Sequence, residues 1–478
     1  MSKTPNSYKK LFSNTIIFAI GSFSSKFLVF LLLPLYTRTL NPSDFGTVDL
    51  MIQIANLMLP IATLSIADSM IRFGLDKRYK KTTVFSCGIV INLVGILIIG
   101  LSLPFLMNTS YVGGYGWLFF CYVAFASIKL VMTEFVRAKG LVKLYAFTGL
   151  LTTFMMIVLN VVFLVVLKIG IIGYLLAIIL SDLVSLIFVF FMAELYRNLK
   201  LTSVNKKVVK QMLAFSIPLI PTAIMWWVTN VSDRFLVTSF LGKDANGLYT
   251  IAYKIPTIIT TIYAMFNQAW NMSAITERDS KGRKRFYTNV FSSNESMMYV
   301  LAGAIMVVLM PLTKILVSDE YFVSYKFAPL LIIATVFTCF TSFLGGIYAA
   351  KKKSVHSFVT SLFGAVLNIV LNLLLIPVFG INGASFATLV SYLLVFIIRM
   401  MDIQQFSPFG FLPGKVILNT AILTSMAFWI MLIDNVVFLY VALIIGFIII
   451  LLLNFTVLMK SFKKVLPTRV LKLLPFLN

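Results

Sequence analysis

The chain has 478 residues, of which 60% are hydrophobic and 12% charged, against roughly 45–50% apolar content in an ordinary soluble domain. With a mean hydropathy of +0.98, a water-soluble fold is excluded, because it has no interior large enough for that much apolar surface. The formal net charge of +24 would suit a nucleic-acid binder, but Lys and Arg fall in short clusters between long apolar runs and not along one polar face, so basicity is a topology signal and no nucleic-acid partner is expected.

The first apolar run extends from Leu11 to Leu40 behind Lys3, Lys9 and Lys10. It is too long for a signal peptide and has no small-residue cleavage pattern, which predicts an uncleaved first span. Further runs of about twenty residues, enough to cross a hydrocarbon core of roughly 30 Å, are predicted near 46–71, 83–107, 115–136, 145–167 and 171–194. After a basic stretch they resume near 211–241, 246–272, 288–316, 327–350, 355–379, 382–401, 414–433 and 436–459. The prediction is an all-α polytopic membrane protein of about fourteen transmembrane helices.

Cationic residues accumulate on the cytoplasmic side of short loops. Alternate connections carry Arg72–Lys81, Arg137–Lys143, Arg197–Lys210, Arg278–Arg285, Lys351–Lys353 and Arg399–Lys415, and both tails are basic. Thirty-one of the 40 Lys and Arg residues fall there, against five (Arg38, Lys168, Lys243, Lys314, Lys326) on the opposite side, which predicts both ends inside. Cys87, Cys121 and Cys339 lie in separate spans without a C-x-x-C or His partner, so neither disulfide nor zinc site is expected. No G-x-x-x-x-G-K phosphate loop is present, and no cofactor or metal is expected. His356, the one histidine, is read as a solvated interfacial residue.

An internal repeat is visible. Leu40-Asn41-Pro42-Ser43-Asp44-Phe45-Gly46 matches Leu241 to Gly247, and Gly170-Ile171-Ile172-Gly173 with Ala177 and Ser181 recurs as Gly380-Ile381-Asn382-Gly383 with Ala387 and Ser391. Two units of six spans, related by a pseudo-two-fold axis along the membrane normal, follow from this, with a site between them. The expected domains are a six-helix bundle over 1–195, a cytoplasmic linker over 196–210, a second bundle over 211–402, two additional helices over 403–460 and a basic tail over 461–478. Asp44 is expected to cap the start of span 2.

Leu32-Leu33-Pro34-Leu35-Tyr36-Thr37-Arg38 leading into Asp44-Phe45-Gly46 resembles the Wzx-type polysaccharide repeat-unit flippases. So does Asn230-Val231-Ser232-Asp233-Arg234-Phe235 followed by Gly247-Leu248-Tyr249, and so does Leu367-Asn368 through Leu371-Asn372 to Gly380–Ala384. These flippases belong to the multidrug/oligosaccharidyl-lipid/polysaccharide exporter superfamily. The resemblance covers nearly the whole chain through the order of its motifs. It implies two six-helix bundles around a cavity that opens alternately to each side, and an oligosaccharide on a polyprenyl diphosphate carrier as cargo, for capsule, O-antigen or exopolysaccharide assembly in the cytoplasmic membrane of a bacterium.

Ionisable side chains inside a span are costly and usually face a bundle interior or a watery cavity. Lys26, Lys129, Arg234 and Lys254 fall within spans and are the candidates for compensating a diphosphate; the other reading is that each is neutralised by a protein acid, Asp233 in the case of Arg234, or snorkels to an interface. Tyr253, Thr257, Thr261 and Asn230 are candidate sugar contacts, and Trp226, Trp227 and Tyr249 could stack on pyranose faces. Asp182 and Asp233 are candidate coupling sites for H+ or Na+. For Asp182 the alternatives are a neutral carboxyl or a pair with Lys26 or Lys129. Asp68 with Arg72 (i,i+4) and Glu134 with Arg137 (i,i+3) are candidate inner gates or static salt bridges. Three functions compete: a lipid-linked oligosaccharide flippase, which could also bind a polysaccharide polymerase or glycosyltransferase; a drug or cation antiporter, which would want an anionic cavity; and a membrane glycosyltransferase or polymerase, for which the outer loops are short. The first two are not enzymes.

Overall fold

The computed structural model describes residues 30–76, 78–109, 112–276, 282–351 and 353–465. Among these residues every regular element is helical. The longer helices are α1 (Leu33–Thr39), α2 (Pro42–Ala62), α3 (Ile66–Leu75), α4 (Lys81–Met107), α5 (Gly116–Ala138), α6 (Val142–Asn160), α7 (Gly170–Met192), α8 (Lys206–Ser216) and α9 (Leu219–Leu241). They continue as α10 (Lys243–Lys254), α11 (Thr257–Thr276), α12 (Arg283–Leu316), α13 (Ala328–Ala350), α14 (Ser354–Phe379), α15 (Ile381–Phe406), α16 (Pro413–Leu432) and α17 (Val436–Val465). Among the described residues, 12 helices are long and apolar enough to cross a membrane. Of the fourteen spans expected, the first lies mostly outside the described residues. The eighth is not one helix: it breaks at Ile255–Pro256 into α10 and α11, where proline has no N–H to continue the ladder.

Two other expected spans are interrupted. The seventh breaks at Ile217–Pro218, between α8 and α9. The second breaks at residues 63–65, where Leu64 (φ 48°) and Ser65 (φ 50°) both lie in the left-handed region, a conformation unfavourable for residues with a Cβ. Helix α4 braces this break. Asn92 donates its side-chain amide to the Ala62 carbonyl at 2.9 Å, an oxygen left over at the helix end, and a Cβ on Gly95 would run into that same oxygen.

Two compact units divide the chain, Met1–Phe235 and Leu236–Asn478. In the first, Ile66, Met70, Phe85, Val131, Phe135 and Met212 form one buried cluster, and Met51, Ile54, Phe119, Val123 and Leu175 another. The second unit is organised around α13, of which 83% is buried, compared with 22% for the span in α17. Its core is aromatic: Trp270 stacks on Phe343 at 3.9 Å and donates its indole N–H to the Phe343 carbonyl at 2.9 Å.

The repeated Gly-x-x-Gly segments take equivalent roles at the starts of α7 and α15. Gly170 (φ 54°) and Gly380 (φ 60°) supply the left-handed turn into each helix, which glycine adopts without steric cost. Gly173 and Gly383 then sit against residues just upstream, Phe163 and Leu375, where a Cβ would clash. At the other repeat, the cap is Asn41 and not Asp44: the Asn41 side chain accepts from the Asp44 N–H at 2.8 Å. Pro42 occupies the first helical position, which sets Asn41 as the cap and leaves Asp44 as an acid in the first turn, favourable beside the helix dipole.

Candidate functional site

In the first unit, two cations that the sequence places within spans are held by acids from other helices. Lys129 on α5 pairs with Asp182 on α7, one of the alternatives weighed for Asp182. Arg234 on α9 pairs with Asp49 on α2, the side chains being 12% and 8% exposed. The adjacent Asp233 is also buried, and its carboxylate accepts the backbone N–H of Arg234 at 2.9 Å. Asp49 was not recognised as a partner from the sequence, because it lies 185 residues away and i±4 spacing cannot reveal it. Gln53, one turn along α2, donates to Asp49 at 3.4 Å and accepts the Trp227 indole N–H on its main-chain carbonyl at 2.7 Å. Trp227 is thereby fixed to the wall.

Around these pairs lie tyrosines. The rings of Tyr36 and Tyr174 are 4.6 Å apart; Tyr174 is within electrostatic reach of Asp49, and Tyr122 of Asp182 and Tyr174. The first unit therefore carries largely buried polar groups on α1, α2, α5, α7 and α9. Such fixed dipoles and compensated charges can receive an anionic group without first having to strip charges of water.

In the second unit, Lys254 is not in the middle of a helix but is the last residue of α10, where a cation complements the carbonyl end of the dipole. The Thr257 hydroxyl donates to the Lys254 carbonyl, and the Thr261 hydroxyl to the Thr257 carbonyl at 2.7 Å. Both threonines thus use their protons on the main chain around the break and keep lone pairs to accept from a ligand. Tyr253 sits edge-on to Tyr249 at 6.0 Å; Tyr249 is fully buried. Asn230 lies within α9, and Lys26 lies outside the described residues.

The two expected gates separate. Arg137 bonds both carboxylate oxygens of Glu134 at 2.7 and 3.0 Å. Asp68 and Arg72 are exposed and do not pair, because the Arg72 guanidinium lies 4.3 Å over the Phe215 ring instead, where cation–π attraction competes with an exposed ion pair.

Sequence reasoning also missed a polar cluster on α13, α14 and α15. Buried Arg399 donates to Thr360 Oγ1 (2.9 Å), the Thr341 carbonyl (2.8 Å), the Ser357 carbonyl (3.1 Å) and Ser361 Oγ (2.7 Å). Nearby, Asp402 accepts from the Tyr348 hydroxyl at 2.7 Å and lies 3.0 Å from His356 Nδ1. His356 is thus engaged at the helix end and not simply solvated.

Known proteins share this architecture. A solved structure of the lipid II flippase MurJ, in an inward closed conformation, superposes with a TM-score of 0.70 at 14% identity, covering 93% of this chain and 99% of that one. An inward-facing multidrug resistance MATE family transporter of the MOP superfamily gives 0.66 at 16% identity, covering 80% and 95%. An uncharacterized membrane protein of Methanocaldococcus jannaschii is 26% identical over 273 residues, a match that spans 51% of this chain and 61% of the relative's length. The fold is therefore the multi-pass helical fold of these solved structures, and residues 11–271 match the family model described as "Polysaccharide biosynthesis protein". The chain belongs to that polysaccharide biosynthesis protein family.

Proposed function

We propose that this protein is a flippase that moves polyprenyl-diphosphate-linked oligosaccharide repeat units across the cytoplasmic membrane by alternating access, with both termini inside. The observation that carries the reading is the pairing of Arg234 with Asp49 inside the membrane-spanning part of the first unit. Asp49 keeps the guanidinium compensated while no cargo is bound. An arriving diphosphate replaces Asp49 as the partner, since a planar guanidinium can bond two phosphate oxygens at once, whereas Asp49 takes it through one carboxylate oxygen. Lys26 and Lys254 supply further positive charge, and Lys129 stands in reserve behind Asp182. Thr257, Thr261, Tyr253 and Asn230 contact the sugars. A carboxylate freed by the cargo, Asp49 or Asp182, then takes a proton or sodium ion, which ties the ion gradient to the transport step.

The fold is shared with multidrug transporters, and a cation antiporter is the competing reading. Purified protein in liposomes containing a fluorescent polyprenyl-diphosphate oligosaccharide decides between them. Flipping driven by an ion gradient or membrane potential without ATP is expected. Transport of organic cations with no movement of the lipid-linked sugar would replace the proposal with the antiporter reading.

A further inference from the structure

Helix α12 has 34 residues, about 51 Å at 1.5 Å per residue, and carries an acid in its first half. Glu295 is 2% exposed, and its Oε1 has no hydrogen-bond partner. Asn294 beside it is equally buried, with both amide atoms unpartnered. Across from them, Lys415 in the first turn of α16 holds its ammonium 3.8 Å from Glu295 Oε1, beyond hydrogen-bond range. That ammonium donates instead to Ser296 Oγ at 2.8 Å.

Among the described residues, Lys415 is the one cation within ion-pairing distance of Glu295. On the same helix, the Tyr299 hydroxyl is taken up by Thr420 Oγ1 at 2.8 Å. From α17 a neutral group joins the network: Asn454 donates to Asn419 Oδ1 at 2.9 Å, and Asn419 donates to the Lys415 carbonyl at 2.9 Å. From α13, Phe340 packs edge-on to Tyr299 at 5.6 Å, one turn along from Glu295. An ionised carboxylate would need donors to replace its lost water, and the one strong donor within reach is turned towards a serine.

We propose that Glu295 is a proton-binding site of the second unit. Its carboxyl holds a proton in this conformation; when the Lys415 ammonium leaves Ser296 and closes on it, the proton departs to water past the partly exposed Lys415 side chain, leaving a carboxylate–ammonium pair. The balance is one proton released per closure, with Lys415 charged throughout. As a coupling device the site rests on the flippase reading, but its protonation does not.

The test is infrared spectroscopy of the full chain in lipid nanodiscs at neutral pH. The expected result is a protonated-carboxyl C=O band that disappears in Glu295→Gln and persists in Lys415→Met, a variant that does not depend on Glu295→Gln folding. A band unchanged in Glu295→Gln, or its loss in Lys415→Met, overturns the proposal in favour of a static ion pair. Reconstituted flipping, which for a one-proton step changes by about tenfold per pH unit on its titrating side, should become flat with pH in Glu295→Gln. Flipping intact without the band sinks this site alone; the band without any flipping sinks the flippase reading and leaves the proton site standing.

Discussion

The Asn92 side chain reaches across from α4 to the carbonyl of Ala62 at 2.9 Å, and so holds in place a helix break that the local chain disfavours. With Leu64 and Ser65 both at positive φ, the break persists because its orphan carbonyl is satisfied from outside and because Gly95 leaves room for it. Asn92→Ala should cost about 1–3 kcal/mol by leaving a buried acceptor unpaired. Gly95→Ala should cost a similar ~1–3 kcal/mol through overpacking. Ser65→Gly should stabilise by up to about 1 kcal/mol, since it removes a Cβ from a left-handed position. Thermal unfolding of the purified variants in detergent checks the three signs; equal melting temperatures for Ser65→Gly and Gly95→Ala would refute the account.

Arg399 offers a second stability test. Its guanidinium makes four hydrogen bonds, to two main-chain carbonyls and two hydroxyls, a forked geometry that an ammonium cannot reproduce. Arg399→Lys should therefore lose much of the stability that Arg399→Ala loses, on the order of 3 kcal/mol by analogy with stripping a partner from a buried charged group. Protein yield from membranes and melting temperature measure it. A lysine variant as stable as the parent would show that charge alone, and not the fork, is what the site needs.

The helices were legible because apolar runs of membrane length have few other uses, and the Gly170/Gly380 repeat was legible because a left-handed turn selects glycine. The break at residues 63–65 was not, since Ala62-Thr63-Leu64-Ser65 has no breaker of its own and the cause sits on α4. Pro218 and Pro256 were visible, but hydropathy averaged over them read two continuous spans. Spacing rules found Glu134–Arg137 correctly and joined Asp68 to Arg72 wrongly, because a neighbouring ring, Phe215, lies outside any local window. Asp49–Arg234 and Lys129–Asp182 bridge distant segments, so only three-dimensional packing could reveal them.

The Lys129–Asp182 pair predicts an asymmetric response. Asp182 is the more buried partner, so Lys129→Met leaves an anion without compensation and should cost about 3–5 kcal/mol or force the carboxyl to take up a proton. Lys129→Met with Asp182→Leu should recover most of that loss, since an apolar pair of similar volume replaces a buried ion pair at little cost. Expression level and melting temperature of the single and double variants form the cycle; a double variant no better than Lys129→Met would mean the two residues act independently.

The last prediction separates stability from transport at Arg234. If Asp49 compensates the guanidinium only until cargo arrives, Arg234→Gln should lower stability by about 3–5 kcal/mol, because Asp49 stays buried without its cation. Arg234→Gln combined with Asp49→Asn should restore the protein level yet leave flipping strongly reduced, since the diphosphate then lacks the guanidinium that would take it over from Asp49. Lys254 is placed differently, as the last residue of α10, where a cation beside the helix dipole contributes about 0.3–1 kcal/mol, so Lys254→Gln should change protein level little while lowering flipping. Lys254→Arg should retain more activity than Lys254→Gln, and Lys254→Glu should be worse than either, because an anion repels the diphosphate. The measurement is flipping of a lipid-linked oligosaccharide in proteoliposomes, normalised to folded protein. Full flipping by the Asp49→Asn/Arg234→Gln double variant and by Lys254→Gln would show that charge does not recognise the carrier, and would remove the physical basis for a diphosphate-linked cargo.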